Sequence, residues 1–119
     1  MKSNRLRLIT IALTLGLLSP LDANAEHLIK KLAPYQSNGH INSKYFVDSR
    51  HLPINNQIVE MNRYKIGGMK IRTFYFPSPV GAVEGGIIVV YPKYPQGYLI
   101  ESNGVKEYYV DEKSDGLNG

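Results

Sequence analysis

Two glycine-containing doublets limit what this chain can fold into more than any other feature. Gly67-Gly68 separates residues 58–66 from 69–76, and Asn103-Gly104 separates 98–102 from 105–110. The flanking stretches are rich in β-branched and aromatic residues. A two-residue connection between such runs is the sequence mark of a tight β-hairpin. A turn of fixed length also dictates register, because the residues on either side must face each other. Asn103-Gly104 therefore sets Glu101 opposite Lys106, Leu99 opposite Tyr108 and Tyr98 opposite Tyr109, pairs that contribute about 0.2–1 kcal/mol each.

The same logic gives the other hairpin an unusual face. A type I′ turn at Gly67-Gly68 places Arg63 opposite Arg72 and Lys65 opposite Lys70, all on one side. Tyr64 opposite Ile71 and Ile66 opposite Met69 then form a credible core on the reverse, so the cations should face water, with Met61 and Phe74 at their far end. Two like-charge pairs would cost up to about 1 kcal/mol each if nothing neutralised them. Acids on a neighbouring strand, with Glu101, Glu107 or Glu60 as candidates, would do so; splaying of the long side chains into water is the other bland outcome. The functional alternative is a docking face for an anionic partner, because a concentrated positive patch steers anions even where net charge is small.

The start of the chain speaks to destination. Lys2, Arg5 and Arg7 precede an apolar run at residues 8–18 (LITIALTLGLL), followed by Pro20 and the small-x-small sequence Ala23-Asn24-Ala25. These are the parts of a secretory signal peptide cleaved after Ala25. The run is shorter than the roughly 20 residues that span a bilayer as a helix. No cysteine follows it, which excludes a lipid-anchored lipoprotein. The expected organisation is a signal peptide at 1–25, one β-rich domain at 26–110 and a flexible tail at 111–119.

Charge argues for no special partner class. Three of the 14 basic residues and one of the 10 acidic residues lie in the leader, so the net +4 of the whole chain falls to +2 after cleavage. Nucleic-acid binding is not indicated. The absence of cysteine removes the disulfides with which small exported domains often reinforce a thin core, leaving packing, a well-paired sheet or a partner. No Asn-x-Ser/Thr sequon is present. This suits a bacterial protein of the periplasm or the extracellular space.

Residues 26–33 (EHLIKKLA) carry Leu28, Ile29, Leu32 and Ala33 at helical spacing and end at Pro34, predicting one short amphipathic helix. Residues 35–57 hold turn residues and one short strand near Tyr45–Val47, so they read as a functional or loosely ordered loop. Residues 85–91 (GGIIVVY) form a continuous apolar run expected as a central strand covered on both faces. The expected fold is mainly β (small α+β): an antiparallel sheet of about five strands with one short N-terminal helix, a small β-barrel being the alternative.

Nine tyrosines and no tryptophan give a second candidate surface. Tyr91, Tyr94 and Tyr98 surround the proline-rigid loop YPKYPQGY, which suits the display of aromatic rings, although packing in the sheet explains tyrosine equally well. His40, Asp48 and His51 match no zinc spacing, and neither a metal nor any other cofactor is expected. There is no thiol nucleophile, no G-x-S-x-G elbow and no phosphate-binding glycine loop, so no enzyme is expected. The candidate binding residues are Arg63, Lys65, Lys70, Arg72, Tyr91, Tyr94 and Tyr98. The expected function is binding of an envelope or secreted protein with an acidic surface, as an inhibitor, immunity protein or accessory subunit. The alternative is a glycan or small-ligand binder that stacks tyrosines.

Overall fold

A computed structural model describes residues 6–9 and 25–118. Both expected two-residue turns form, and each sets the expected register. β5 (Gln57–Ile66) and β6 (Met69–Tyr75) pair with Arg63 opposite Arg72 and Lys65 opposite Lys70. β9 (Gly97–Ser102) and β10 (Val105–Asp111) pair with Glu101 opposite Lys106 and Tyr98 opposite Tyr109. The first turn differs in one respect from its type I′ expectation. Gly67 has φ +58° but Gly68 does not enter the positive region, the φ pattern of a type II′ turn. Both types have two-residue loops, so register is unaffected.

These hairpins join through β6 and β9, and β4 (Phe46–Ile54) completes an antiparallel sheet in the order β10-β9-β6-β5-β4, while β2 (Gln36–Ser37) and β3 (His40–Ile41) pair with each other in a small separate ribbon. The sheet is open, not a closed barrel. β1 (Leu6–Ile9), four residues of the expected leader, lies antiparallel along the outer edge of β10. The expected cleavage point after Ala25 falls at the first residue of the helix that follows, while Ala23, Asn24 and most of the apolar run lie outside the described residues.

α1 (Ala25–Leu32) is the expected amphipathic helix, with Glu26 in its first turn and Lys30 and Lys31 in its last, the signs the helix dipole favours. Its Leu28 and Leu32 are buried against the sheet face that carries Ile66, Met69, Ile71, Tyr98, Ile100 and Tyr109. This is the aliphatic and aromatic side of the β5–β6 hairpin, so the basic side is the outer one.

Two expectations for the chain's path fail. Residues 46–54 are not a loop but a nine-residue strand, closed onto β5 by Asn55-Asn56, whose φ values of 50° and 64° suit a type I′ turn. Pro53 is tolerated there because β4 is the sheet edge. The C-terminal residues do not fray either. Leu117 is 2% exposed in the core, and its N–H donates to Gly39 O at 3.0 Å. The buried Asp111 carboxylate accepts from the Gly116 N–H at 2.7 Å and the Asp115 N–H at 3.3 Å. Gly116 (φ +68°) and Gly39 hold Tyr94 between them: a Cβ built on Gly116 would stand 2.5 Å from that ring.

The largest correction concerns the apolar run. β7 (Ser78–Val83) and β8 (Gly86–Val90) form a separate two-stranded sheet, and every residue from 78 to 90 is exposed. Ile87 is 70% exposed and Val80 61%. The expected central position is already filled, because β6 pairs directly with β9. The base of the hairpin is fixed to the body by glutamines: Gln57 Nε2 donates to Pro77 O at 2.7 Å, and the Phe76 N–H donates to Gln96 Oε1 at 2.8 Å.

Candidate functional site

Register carries the basic cluster beyond its own hairpin. Asp48 and Arg50 on β4 lie opposite Arg63 and Met61, while Glu101 lies opposite Lys70 on one side and Lys106 on the other. Among the residues of β4, β5, β6, β9 and β10, six cations (Arg50, Arg63, Lys65, Lys70, Arg72 and Lys106) therefore share the outer face with two acids, Asp48 and Glu101. Arg63, Lys65, Lys70 and Arg72 together line a shallow hollow of about 150 Å³, with Val47 at its rim.

The four cations differ in what holds them. Arg63 is clamped by Asp48: Nε donates to Oδ1 at 2.6 Å and Nη2 donates to Oδ2 at 2.5 Å. This fork geometry is the strong form of an ion pair. The Arg63 hydrogen bond holds the Asp48 carboxyl below its ordinary value of 3.8, against an opposing push from burial, and the charges of Arg63 and Arg50 add to the lowering. Among the described residues, Lys65, Lys70 and Arg72 make no ion pair within 4 Å. The two lysines are exposed and Arg72 is half-buried.

Neutralisation therefore comes from a residue the sequence expectation did not include. Of the acids proposed for it, Glu60 and Glu107 lie opposite Tyr75 and Ile100, on the helix-covered side of the sheet. Glu101 is on the basic face but lies between Lys70 and Lys106 and makes no ion pair within 4 Å among the described residues. Of the four hairpin cations Asp48 neutralises Arg63 alone, and it also lies 3.9 Å from Arg50. A sequence signal for it existed: Asp48 and Arg50 alternate in front of the Asn55-Asn56 doublet, as they would on one face of a strand.

The structure does not bring the tyrosine candidates together. Tyr98 is 1% exposed in the core, so its ring is closed to a partner. Tyr94 stacks on His40, ring centroids 4.6 Å apart, and its hydroxyl accepts from Asn118 Nδ2 at 3.2 Å. That ring is a clamp for the C-terminal segment. Tyr91 lines a different feature, an apolar groove of about 420 Å³ between the foot of the β7–β8 hairpin and the β4–β5 turn, shared with Ile58, Pro77, Ile87 and Val89.

The histidines and Asp48 have separate partners. Burial, and secondarily the charge of Lys93, lower the pKa of His40, which stacks on Tyr94. His51 lies 4.0 Å from Glu60, and Asp48 is engaged by Arg63. No group of three or more metal-ligating side chains converges among the described residues. No helix among the described residues is long and apolar enough to cross a membrane. Compared with known proteins, the chain matches no family model, no curated protein and no solved structure.

Proposed function

We propose that this chain is an exported interaction protein that binds a protein of the bacterial envelope or surroundings through the outer face of the β5–β6 hairpin. The observation that carries this reading is the convergence of Arg63, Lys65, Lys70 and Arg72 on one hollow, with three of the four lacking an ion pair among the described residues. A sheet rigidified by pairing on both sides of the hairpin holds these cations at fixed spacing, which lowers the ordering cost of binding. Arg63, already forked to Asp48, supplies local field and shape. Lys65, Lys70 and Arg72 supply donors for partner carboxylates. Export rests on the basic start, the 11-residue apolar run and the Ala23-Asn24-Ala25 site.

A pull-down from envelope extract with the protein at micromolar concentration tests this. Wild type should retain an acidic partner that Lys65→Glu/Lys70→Glu does not, and retention should weaken as salt shortens the range of exposed charges. Return of no partner, or capture indifferent to both charge reversal and salt, would overturn it.

A further inference from the structure

We infer that the β7–β8 hairpin is a self-association element: β8 of one copy pairs antiparallel with β8 of a second copy, about a two-fold axis at Ile88. The inference does not depend on the basic face.

The hairpin is apolar on both faces. Ile87 and Val89 point to the side of the groove at its foot, Ile88 and Val90 alternate to the other side, and all four are exposed. Exposed apolar surface of this kind marks an interaction site. A two-stranded ribbon alone in water is at best marginally stable, and further strands stabilise it. A bilayer is a poor occupant. Strands of six and five residues fall short of the roughly 9–11 that span one, and a lone ribbon would leave both edges unpaired in lipid.

The two edges are not equivalent, and this selects the pairing strand. β7 carries Pro79 and a bulge between Pro79 and Gly81, both of which blunt an edge. β8 has neither proline nor charge along Gly86–Val90. Its ladder phase also permits self-pairing. Val83 opposite Gly86 closes the turn as a hydrogen-bonded pair, so Ile88 bonds inward to β7 while the backbones of Ile87 and Val89 face outward. Pro79 opposite Val89 fits, since that position needs no inward N–H. An axis at Ile88 sets Ile87 against Val89 of the second copy, so every outward-facing group meets an outward-facing group.

Charge agrees with the register. The hairpin's one ionisable residue, Glu84, is at the tip. Counting outward from Ile88 places it opposite Pro92 of the second copy, beside the exposed Lys93. The two glutamates lie at opposite ends of the joined sheet, and each faces a cation. An antiparallel pair thus buries no charge.

The natural absence of cysteine makes the test free of background. A non-hydrogen-bonded antiparallel pair brings Cα atoms to about 4.5 Å, within disulfide range. Mild oxidation of Ile88→Cys should therefore give a reducible dimer, whereas Ala82→Cys on β7 should stay monomeric. By sedimentation, wild type should dimerise at micromolar concentration, and Ile88→Lys, which sets two cations on the axis, should weaken the dimer at least about tenfold. Circular dichroism of Ile88→Lys should match wild type, since the residue is exposed. A wild-type monomer up to millimolar concentration would overturn the proposal. So would equal cross-linking at positions 82 and 88, or monomers that co-sediment with phosphatidylglycerol vesicles.

Discussion

The β5–β6 and β7–β8 hairpins are each closed by a two-residue turn, yet they present opposite chemistry. β5–β6 lies inside the sheet, paired on both sides, with one face closed by the core and the other lined with cations. β7–β8 is paired with nothing else among the described residues and is apolar all round. The contrast shows that apolar composition does not determine burial. A strand is buried only where the topology leaves it a place, and here β6 and β9 close on each other and leave none for β8.

Core truncation sharpens that contrast most. Ile71→Ala, beneath the basic face and fully buried, should cost about 2–5 kcal/mol in urea denaturation. Ile87→Ala, the same truncation on the exposed hairpin, should stay within about 0.5 kcal/mol under conditions where the protein is monomeric. Equal losses at the two positions would mean that the hairpin packs against something. Gly116→Ala comes next. It forces a side chain into a positive-φ site 2.5 Å from the Tyr94 ring and should cost about 1–3 kcal/mol, measured by the same method, if the C-terminal segment is pinned.

Asp48→Ala acts on the basic face directly. The Asp48 carboxyl has a lower pKa folded than unfolded, so its contribution to stability is present above the unfolded value of 3.8 and disappears as pH falls through the folded value. The variant should be less stable at neutral pH, and its acid-denaturation profile should be flatter below that value. Releasing Arg63 should also tighten binding of an anionic partner. The smallest effect belongs to Tyr98→Phe. The Tyr98 hydroxyl is buried without a hydrogen-bond partner among the described residues, so its removal should leave stability unchanged or raise it by up to about 1 kcal/mol, read from the melting temperature. Partner binding should not change, which separates Tyr98 from the contact residues.

Much of the fold could be read from turns. Gly67-Gly68 and Asn103-Gly104 gave the correct register of both hairpins, and hence the face on which Arg63, Lys65, Lys70 and Arg72 lie. Asn55-Asn56 is a turn of the same kind, but Pro53 beside it obscured the strand that leads in, and with that strand went Asp48 and Arg50. The apolar run at 86–90 resembles a buried strand because hydrophobicity reports a preference for leaving water and does not identify what removes it. Tyr98 was misplaced for a local reason. Its neighbours Tyr91 and Tyr94 lie in the proline loop, but Gly97 already begins β9, so Tyr98 obeys strand alternation and turns to the core. The C-terminal residues looked like a tail because polar residues and glycines usually fray. Here Gly116 is the means by which Tyr94 packs.

Backbone amide chemical shifts, followed while polyglutamate is added to the folded protein, test the central claim most directly. The account expects shifts centred on residues 63–72, extending to Glu101 and Lys106, lost in Lys65→Glu/Lys70→Glu and absent from residues 78–90. Shifts concentrated on the β7–β8 hairpin, or none at all at low salt, would contradict it.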